Sequence, residues 1–496
     1  MRLRGLRMRG IPVCAWIAIL VSIGWVRGPA LANEAGDVEA AGPDIFVILL
    51  DAASARYFGA YGASSGSTPE IDALARRSVV FERAYSQAPT TTPSVASLFT
   101  GVRVTTHGAV REGFAPELVT LAETLRAGGF ATAAVSANPN AGLPRTQLDR
   151  GFERFVGAWK SRKDLAGRGA LAGQQEAHRG PAARPVTDAA QQLQEGVRPG
   201  RQFTYVHYLQ PHQPYDAAAA FQREFPLDPE LGCGTQDTPW PRLRAQLEAA
   251  NRSGSSARCL TSALEARYRA NLRRVDSEVG RLLRWLVEQD RFVESLVVVT
   301  ADHGEAFFEH GRFGHNVHLY DDMTRIPLIL KFPDSDGIAP RRIASLVETI
   351  DVMPTLLDYL GIARIAQLEG RSLMPEIRGG ASGPEGEELV MSSVTEVPLH
   401  AIRRGDYKYI HAQGQERGEL YDLASDAGEQ ENLVHERPEL AQRLRERLGA
   451  LTGIDFDAAQ GLSPPVQEPG EAPQADSAIP LDPEIRELLE KLGYAE

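Results

Sequence analysis

An α/β fold, with a doubly wound and mostly parallel central sheet flanked by helices, is predicted by three observations. Two apolar runs, DIFVILL (44–50) and SLVVVTA (295–301), are continuous rather than alternating, as strands buried on both faces are. Segments of strand and helix character alternate over residues 44–380, the order that builds parallel sheets. Both apolar runs end in chemistry-bearing side chains, Asp51 after the first and Asp302, His303 and Glu305 after the second. Ligand sites in open α/β sheets lie outside such strand ends. The chain has 496 residues, 43% hydrophobic and 24% charged, enough for a large core with a smaller appended layer.

Taken in order, residues 1–32 read as an export signal rather than as part of the fold. Arg2, Arg4, Arg7 and Arg9 precede an apolar run from Ile11 to Val26, and Ala30-Leu31-Ala32 offers a small-residue cleavage site. An uncleaved anchor is the alternative, though the run is short for a membrane span and Arg27 follows it. No other stretch is long and apolar enough to cross a bilayer. Removing this segment takes away five Arg and no acids, so the formal charge moves from −12 to −12 − 5 = −17. Such an acidic chain offers no electrostatic footprint for nucleic acid.

After the first strand, Thr68 and Pro69 open a helix through Arg77, and SVVFERAY is a strand. Thr91 and Thr92 then stand as cap-like residues before Pro93, which suits a first helical turn, and Gly101 closes that helix. The unpaired N–H groups of a helix N-terminus favour an anion, or an alkoxide on Thr91. LVTLAETLRAGG is a helix with a glycine stop, followed by the strand FATAAVSA. Residues 158–184, rich in Ala, Gly, Gln and Arg, read as a mobile loop or insertion, and 226–262 as a polar one. Leu272, Val275, Val279, Leu282, Leu283 and Leu286 form a core-facing helical stripe before the Asp302 strand. In a C-terminal subdomain at 385–455, LHAIRR and DYKYIHA pair as a hairpin, ELYDL follows, and a charged helix runs from Pro438 to Leu451. Residues 456–496 comprise a Pro-rich acidic linker and a terminal helix. Cys14 falls in the signal. Cys233 and Cys259 share the 226–262 insertion, and an oxidising compartment allows them one disulfide.

Several motifs in order make the chain resemble the sulfatase family of the alkaline-phosphatase superfamily. On that family's Cys-x-Pro-Ser-Arg-Ala-Ser-Leu-Leu-Thr-Gly segment, Thr91 takes the nucleophile position, followed by Pro93, Ser94, Ala96, Ser97, Leu98, Thr100 and Gly101. VHYLQPHQPY, EHGRFGHNVHLYDDMTRIPLIL, ETIDVMPTLLDYLGI, GELYDLASDAGEQENL and LEKLGYAE resemble its later landmarks. The resemblance implies an alkaline-phosphatase-like sheet with a small C-terminal α+β subdomain, and a hydrolase of anionic esters that holds a divalent ion.

The departures shape the chemistry. Thr91 stands where sulfatases mature a Cys to formylglycine, and Val95 replaces the motif's Arg. The family's Gly-Lys-Trp-His segment appears as SANPN (136–140), so Asn138 or Asn140 offers only a neutral donor to substrate, and His315 stands in place of a Lys. A formylglycine hydrate sheds its sulfate by elimination. A plain threonine ester must be hydrolysed at its central atom, the route of superfamily members acting on phosphate or phosphonate esters. A phosphorus ester is therefore favoured, and a sulfate ester remains the competing substrate.

By the resemblance, Asp51, Asp302 and His303 hold one divalent ion, with Thr91 completing its shell. An oxygen-rich shell suits Ca²⁺, a His ligand favours Mn²⁺ or Zn²⁺, and the ion's identity stays open. His212 and then His315 are the candidate proton donors to the leaving alcohol. His107, His207, His310 and His318 read as structural, and Glu305 as a partner of His303 or a helix-start carboxylate. The partner is a small anionic ester: a sulfated or phosphorylated alcohol, glycan or lipid head group. The competing class of function is a non-catalytic relative that binds anionic glycans or lipids.

Overall fold

The structure is a computed structural model and describes residues 42–456, except 65, 111–112, 143, 160–182, 198–199, 228–237, 239, 254–257, 381–382, 384–386, 394–396 and 416–417. The signal segment, nearly all of the loop at 158–184, Cys233 with its expected disulfide to Cys259, and the terminal linker and helix lie outside the described residues.

The larger sheet contains β1 (Asp44–Leu50), β2 (Val79–Tyr85), β3 (Ala131–Ser136), β4 (Arg154–Gly157), β5 (Gln202–Tyr208) and β6 (Ser295–Ala301). Further along the chain a short hairpin, β7 (Ala306–Phe307) and β8 (Phe313–Gly314), stands apart from it. Then β9 (Arg325–Ile326), β10 (Leu328–Lys331) and β11 (Arg341–Glu348) complete the sheet. Its order is β11-β2-β10-β6-β1-β5-β3-β4, with β9 on β2. Parallel pairs join β1 to β5 and β6, β3 to β4 and β5, and β2 to β11, while β10 runs antiparallel. Every residue of β1, β5 and β6 is buried, as the continuous apolar runs of β1 and β6 require.

Register positions the site. Leu50 pairs with both Tyr208 and Ala301, and Ser136 pairs with His207. The residues that follow β1, β3, β5 and β6 therefore emerge at one level at the carboxyl edge of the sheet. The helix α1 (Pro69–Ala75) precedes β2 and α2 (Thr91–Thr100) follows it, with Gly101 in the left-handed region (φ 68°) closing α2 through an N–H bond to Ser97 O. Thr90 is the N-cap of α2 and Thr91 its first helical residue, one position further in than the sequence pattern predicts.

The insertion expected to be a polar loop contains a helix, Trp240–Ser253, and the stripe helix starts early, spanning Arg258–Glu288. The reason lies in the spacing. Leu243 and Leu247 are buried four residues apart, and Leu260, Leu264 and Tyr268 extend the apolar stripe backwards into the polar run.

A second sheet, β12 (Glu388–Ser392), β13 (Leu399–Arg404), β14 (Tyr407–Ala412) and β15 (Glu419–Asp422), is antiparallel throughout. Its faces follow the period-2 rule. Val390, Ile402, Tyr409 and Leu420 pack under the helix Pro438–Thr452, whereas Leu389, Met391, Ala401, Ile410 and Tyr421 pack against Tyr85, Leu319 and Leu346 of the larger layer.

Candidate active site

Asp51 leaves β1 at a strained turn. Ala52, the next residue, has φ 57°, a region that costs a residue with a Cβ about 1–2 kcal/mol. Three bonds hold it there: Asp51 N–H to Tyr208 O (3.0 Å), Ala52 N–H to Asp302 Oδ1 (3.0 Å) and Tyr268 O–H to Ala52 O (2.7 Å). The Tyr268 hydroxyl also accepts from Ser54 N–H at 3.0 Å. The turn thus locks the first acidic strand end to the second.

Thr91 is fully buried at the N-terminus of α2. Its hydroxyl bonds to Asp302 and accepts from Asn138 Nδ2 at 3.3 Å, and the same Nδ2 donates to Asp51 Oδ2 at 2.6 Å. Asn138 is held in turn by its own short 3-10 turn, its Oδ1 accepting from Asn140 N–H at 2.9 Å. Asn138, expected as a donor to substrate, meets the Thr91 hydroxyl and a metal-ligand candidate.

Asp302 Oδ1 is occupied by the N–H groups of Ala52 and His303, and His303 Nδ1 donates to Gly304 O at 2.8 Å. What remains is telling. Asp51 Oδ1, Asp302 Oδ2 and His303 Nε2 are buried without a hydrogen-bond partner. His303 Nε2 lies 3.8 Å from that Asp51 oxygen and 3.6 Å from that Asp302 oxygen. Unpaired buried acceptors this close together are costly unless a cation fills the space between them. The residues fit a divalent ion.

Electrostatics agrees. Burial raises the Asp51 carboxyl above its ordinary value, opposed by His212 and Asn138. Burial and the charge on Asp51 push Asp302 up to about 7. Besides their effect on each other, the largest charges acting on this pair are those of His207, His212, His315 and Glu305.

The histidines sort by position. His207, expected to be structural, places Nε2 3.1 Å from Asp51 Oδ2, and Asp51, His207 and Asp302 each turn an atom to within 4.8 Å of one another. It is thus a further ligand candidate. The signal lies in the order of the sheet, where its strand pairs directly with the strand ending in Asp51. His212 is buried, its N–H bonded to Asp51 O at 3.1 Å, and burial lowers its imidazole to about 4. The His315 ring stands 4.7 Å from that of His212 and 4.9 Å from that of His303. Burial lowers His315, but Glu305, 3.1 Å from its Nδ1, together with Asp51 and Asp302, outweighs this and leaves it raised. His107, expected in a turn, ends the short helix Val104–His107, where it bonds Ser97 Oγ at 2.9 Å and accepts from Ala109 N–H. His310 stacks on Tyr320 at 3.6 Å, and His318 sits beside Asp322.

Residues 43–362, more than half of the chain, match the Sulfatase family, and residues 308–453 match the C-terminal region of N-sulphoglucosamine sulphohydrolase. The chain belongs to the sulfatase family. It is 26% identical to a delta 4,5-hexuronate-2-O-sulfatase of Bacteroides thetaiotaomicron, over 86% of this chain and 91% of that one. A choline-sulfatase of Rhizobium meliloti is 26% identical over 79% and 82% of the two chains. In fold the chain resembles a phosphonate monoester hydrolase of Agrobacterium radiobacter, with TM-score 0.65, 21% identity, and coverage of 83% of this chain and 95% of that one.

The protein is a sulfatase-family ester hydrolase, and a threonine, Thr91, begins its helix α2. Val95, in place of the motif's Arg, is fully buried in the apolar core and brings no charge to the site. Asn138 and Asn140, both buried, bring neutral amides where the sequence resemblance expects Lys and His. No helix among the described residues is long and apolar enough to cross a membrane.

Proposed function

We propose that this is an exported hydrolase that cleaves a small anionic ester through a covalent intermediate on Thr91, with a phosphorus ester preferred to a sulfate. The observation that carries this reading is the hydroxyl of Thr91, buried at a helix N-terminus between Asn138 Nδ2 and Asp302. Both of these partners belong to segments other than the helix that Thr91 begins.

Asp51, Asp302 and His303, with His207 beside them, are the residues to hold a divalent ion (Ca²⁺, Mn²⁺ or Zn²⁺). Such an ion lowers the pKa of a nearby hydroxyl and offsets charge on a transferring group. The chain's own groups do the rest. Asn138 fixes the Thr91 oxygen, and the first N–H groups of α2 stabilise the non-bridging oxygens of the substrate. Thr91 Oγ passes its proton to Asp302, to which its hydroxyl is hydrogen-bonded, and attacks phosphorus in line as the bond to the alcohol breaks. His315 or His212, whose rings stand 4.7 Å apart, protonates the departing oxygen. Water then attacks phosphorus and frees Thr91.

Sulfate is the second reading, favoured by relatives named as sulfatases. The test is turnover by the mature chain, supplied with Ca²⁺, Mn²⁺ or Zn²⁺, on nitrophenyl sulfate, phosphate, phosphodiester and phosphonate. Thr91→Ala is the control. Thr91-dependent cleavage of the phosphorus esters well above sulfate supports the first reading, and the reverse order supports the second. Binding without turnover supports a non-catalytic receptor for anionic glycans or lipids.

A further inference from the structure

We propose that Glu305 is a positioning residue that fixes the orientation of His315 and ties it to the segment carrying His212. This rests on the reading of His315 as the group facing the leaving alcohol.

Three independent stretches of chain meet at Glu305. It follows Asp302 and His303 through Gly304, where an added Cβ would lie 2.1 Å from Asp322 O, so the backbone passes too close for any side chain. Its own side chain is fully buried. The β7–β8 hairpin pairs Ala306 with Gly314, so Glu305 and His315 flank the end of that ladder as neighbours. One carboxylate oxygen, Oε1, lies 3.1 Å from His315 Nδ1. The other, Oε2, accepts from the Tyr215 hydroxyl at 2.8 Å. Tyr215 is three residues beyond His212 and is itself fully buried.

A carboxylate only accepts, so Nδ1 of His315 carries its proton toward Glu305, and Nε2 is the nitrogen turned away from it. Without that bond the imidazole can flip or rotate about its terminal torsion, which is broad for histidine. With it, the ring is held between His303 and His212. The sequence pattern pointed Glu305 at His303, or made it a helix-start carboxylate. The structure assigns it to His315 and Tyr215 instead, and β7 rather than a helix follows it.

The test is a double-mutant cycle between Glu305→Gln and His315→Gln, read with alkyl and nitrophenyl esters of the preferred acid. Glu305→Gln should lower kcat on the alkyl ester by roughly 10- to 100-fold, with KM little changed and a smaller loss on the nitrophenyl ester, whose leaving group needs no proton. In the His315→Gln background the same substitution should cost nothing further. An equal loss in both backgrounds, or no loss on the alkyl ester, overturns the proposal. Thr91→Ala in the same series separates failure of the nucleophile reading, which leaves the Glu305–His315 coupling intact. If no ester turns over, the hydrogen-bonded imidazole N–H proton of His315 is read by NMR. It should vanish in His315→Gln and move upfield in Glu305→Gln. Its absence from the unsubstituted protein overturns the proposal.

Discussion

Asn138 and His207 show what single residues contribute and how much of that is written in the sequence. Asp51, Thr91, Asp302 and His303 were legible because each stands at the end of an element whose periodicity is strong, and a motif fixes their order. His207 was not, because a histidine inside a strand gives no sign of which face it serves until the neighbouring strand is known. Asn138 was read as a donor to substrate. Its Nδ2 instead spans 2.6 Å to Asp51 Oδ2 and 3.3 Å to Thr91 Oγ. Removing a donor from a buried carboxylate leaves an expensive acceptor and frees the nucleophile to rotate. Asn138→Ala should therefore lower kcat by roughly 10- to 100-fold with the fold intact, an effect of the size seen for groups that orient ligands. Steady-state kinetics beside circular dichroism checks this, and unchanged kcat would make Asn138 a bystander.

At the scale of elements, the strained turn after β1 is held by a side chain from another part of the chain. Tyr268 lies in the long helix Arg258–Glu288, whose stripe was legible from Leu272 onward but whose first turns were hidden in a polar segment. Its hydroxyl donates to Ala52 O and accepts from Ser54 N–H. Tyr268→Phe keeps the ring packing against Tyr57 and Phe307 and removes only this bridge. Two buried backbone groups lose their partner, a cost of about 1–3 kcal/mol. The expected result is a lower midpoint in urea with an unchanged slope, together with weakened metal retention as Asp51 and Asp302 lose their mutual register. The C-terminal hairpin, by contrast, was read from alternation and turn residues alone, because each of its faces meets a different apolar layer.

Across the whole molecule, one buried acid joins the two sheets to the segment leading into the nucleophile helix. Glu348, at the end of β11, accepts from Val390 N–H of β12 at 2.9 Å and from Gln87 Nε2 at 2.8 Å. Burial, followed by the nearby charge of Asp351, pushes its carboxyl up to about 7. The folded state thus holds this proton more tightly than the unfolded chain, whose glutamate titrates near 4.5. Stability from this group is fully present below that value, falls as pH rises from there toward 7, and stays lost above it. Glu348→Gln retains an acceptor oxygen and carries no charge. It should raise the melting temperature at pH 8 and leave it unchanged at pH 4, as differential scanning fluorimetry would show. An equal shift at both pH values would assign the effect to packing instead. No composition or motif reveals such a group, since its environment exists only once both sheets are assembled.

The covalent step through Thr91 is tested most directly by quenching the enzyme in acid within its first turnovers and sequencing the peptide that carries residues 91–101 by mass spectrometry. A phosphoryl or alkylphosphonyl group on Thr91, formed only with substrate and absent from Thr91→Ala, is the predicted result. An unmodified Thr91 in an enzyme that is turning over, or turnover that survives Thr91→Ala, would contradict it.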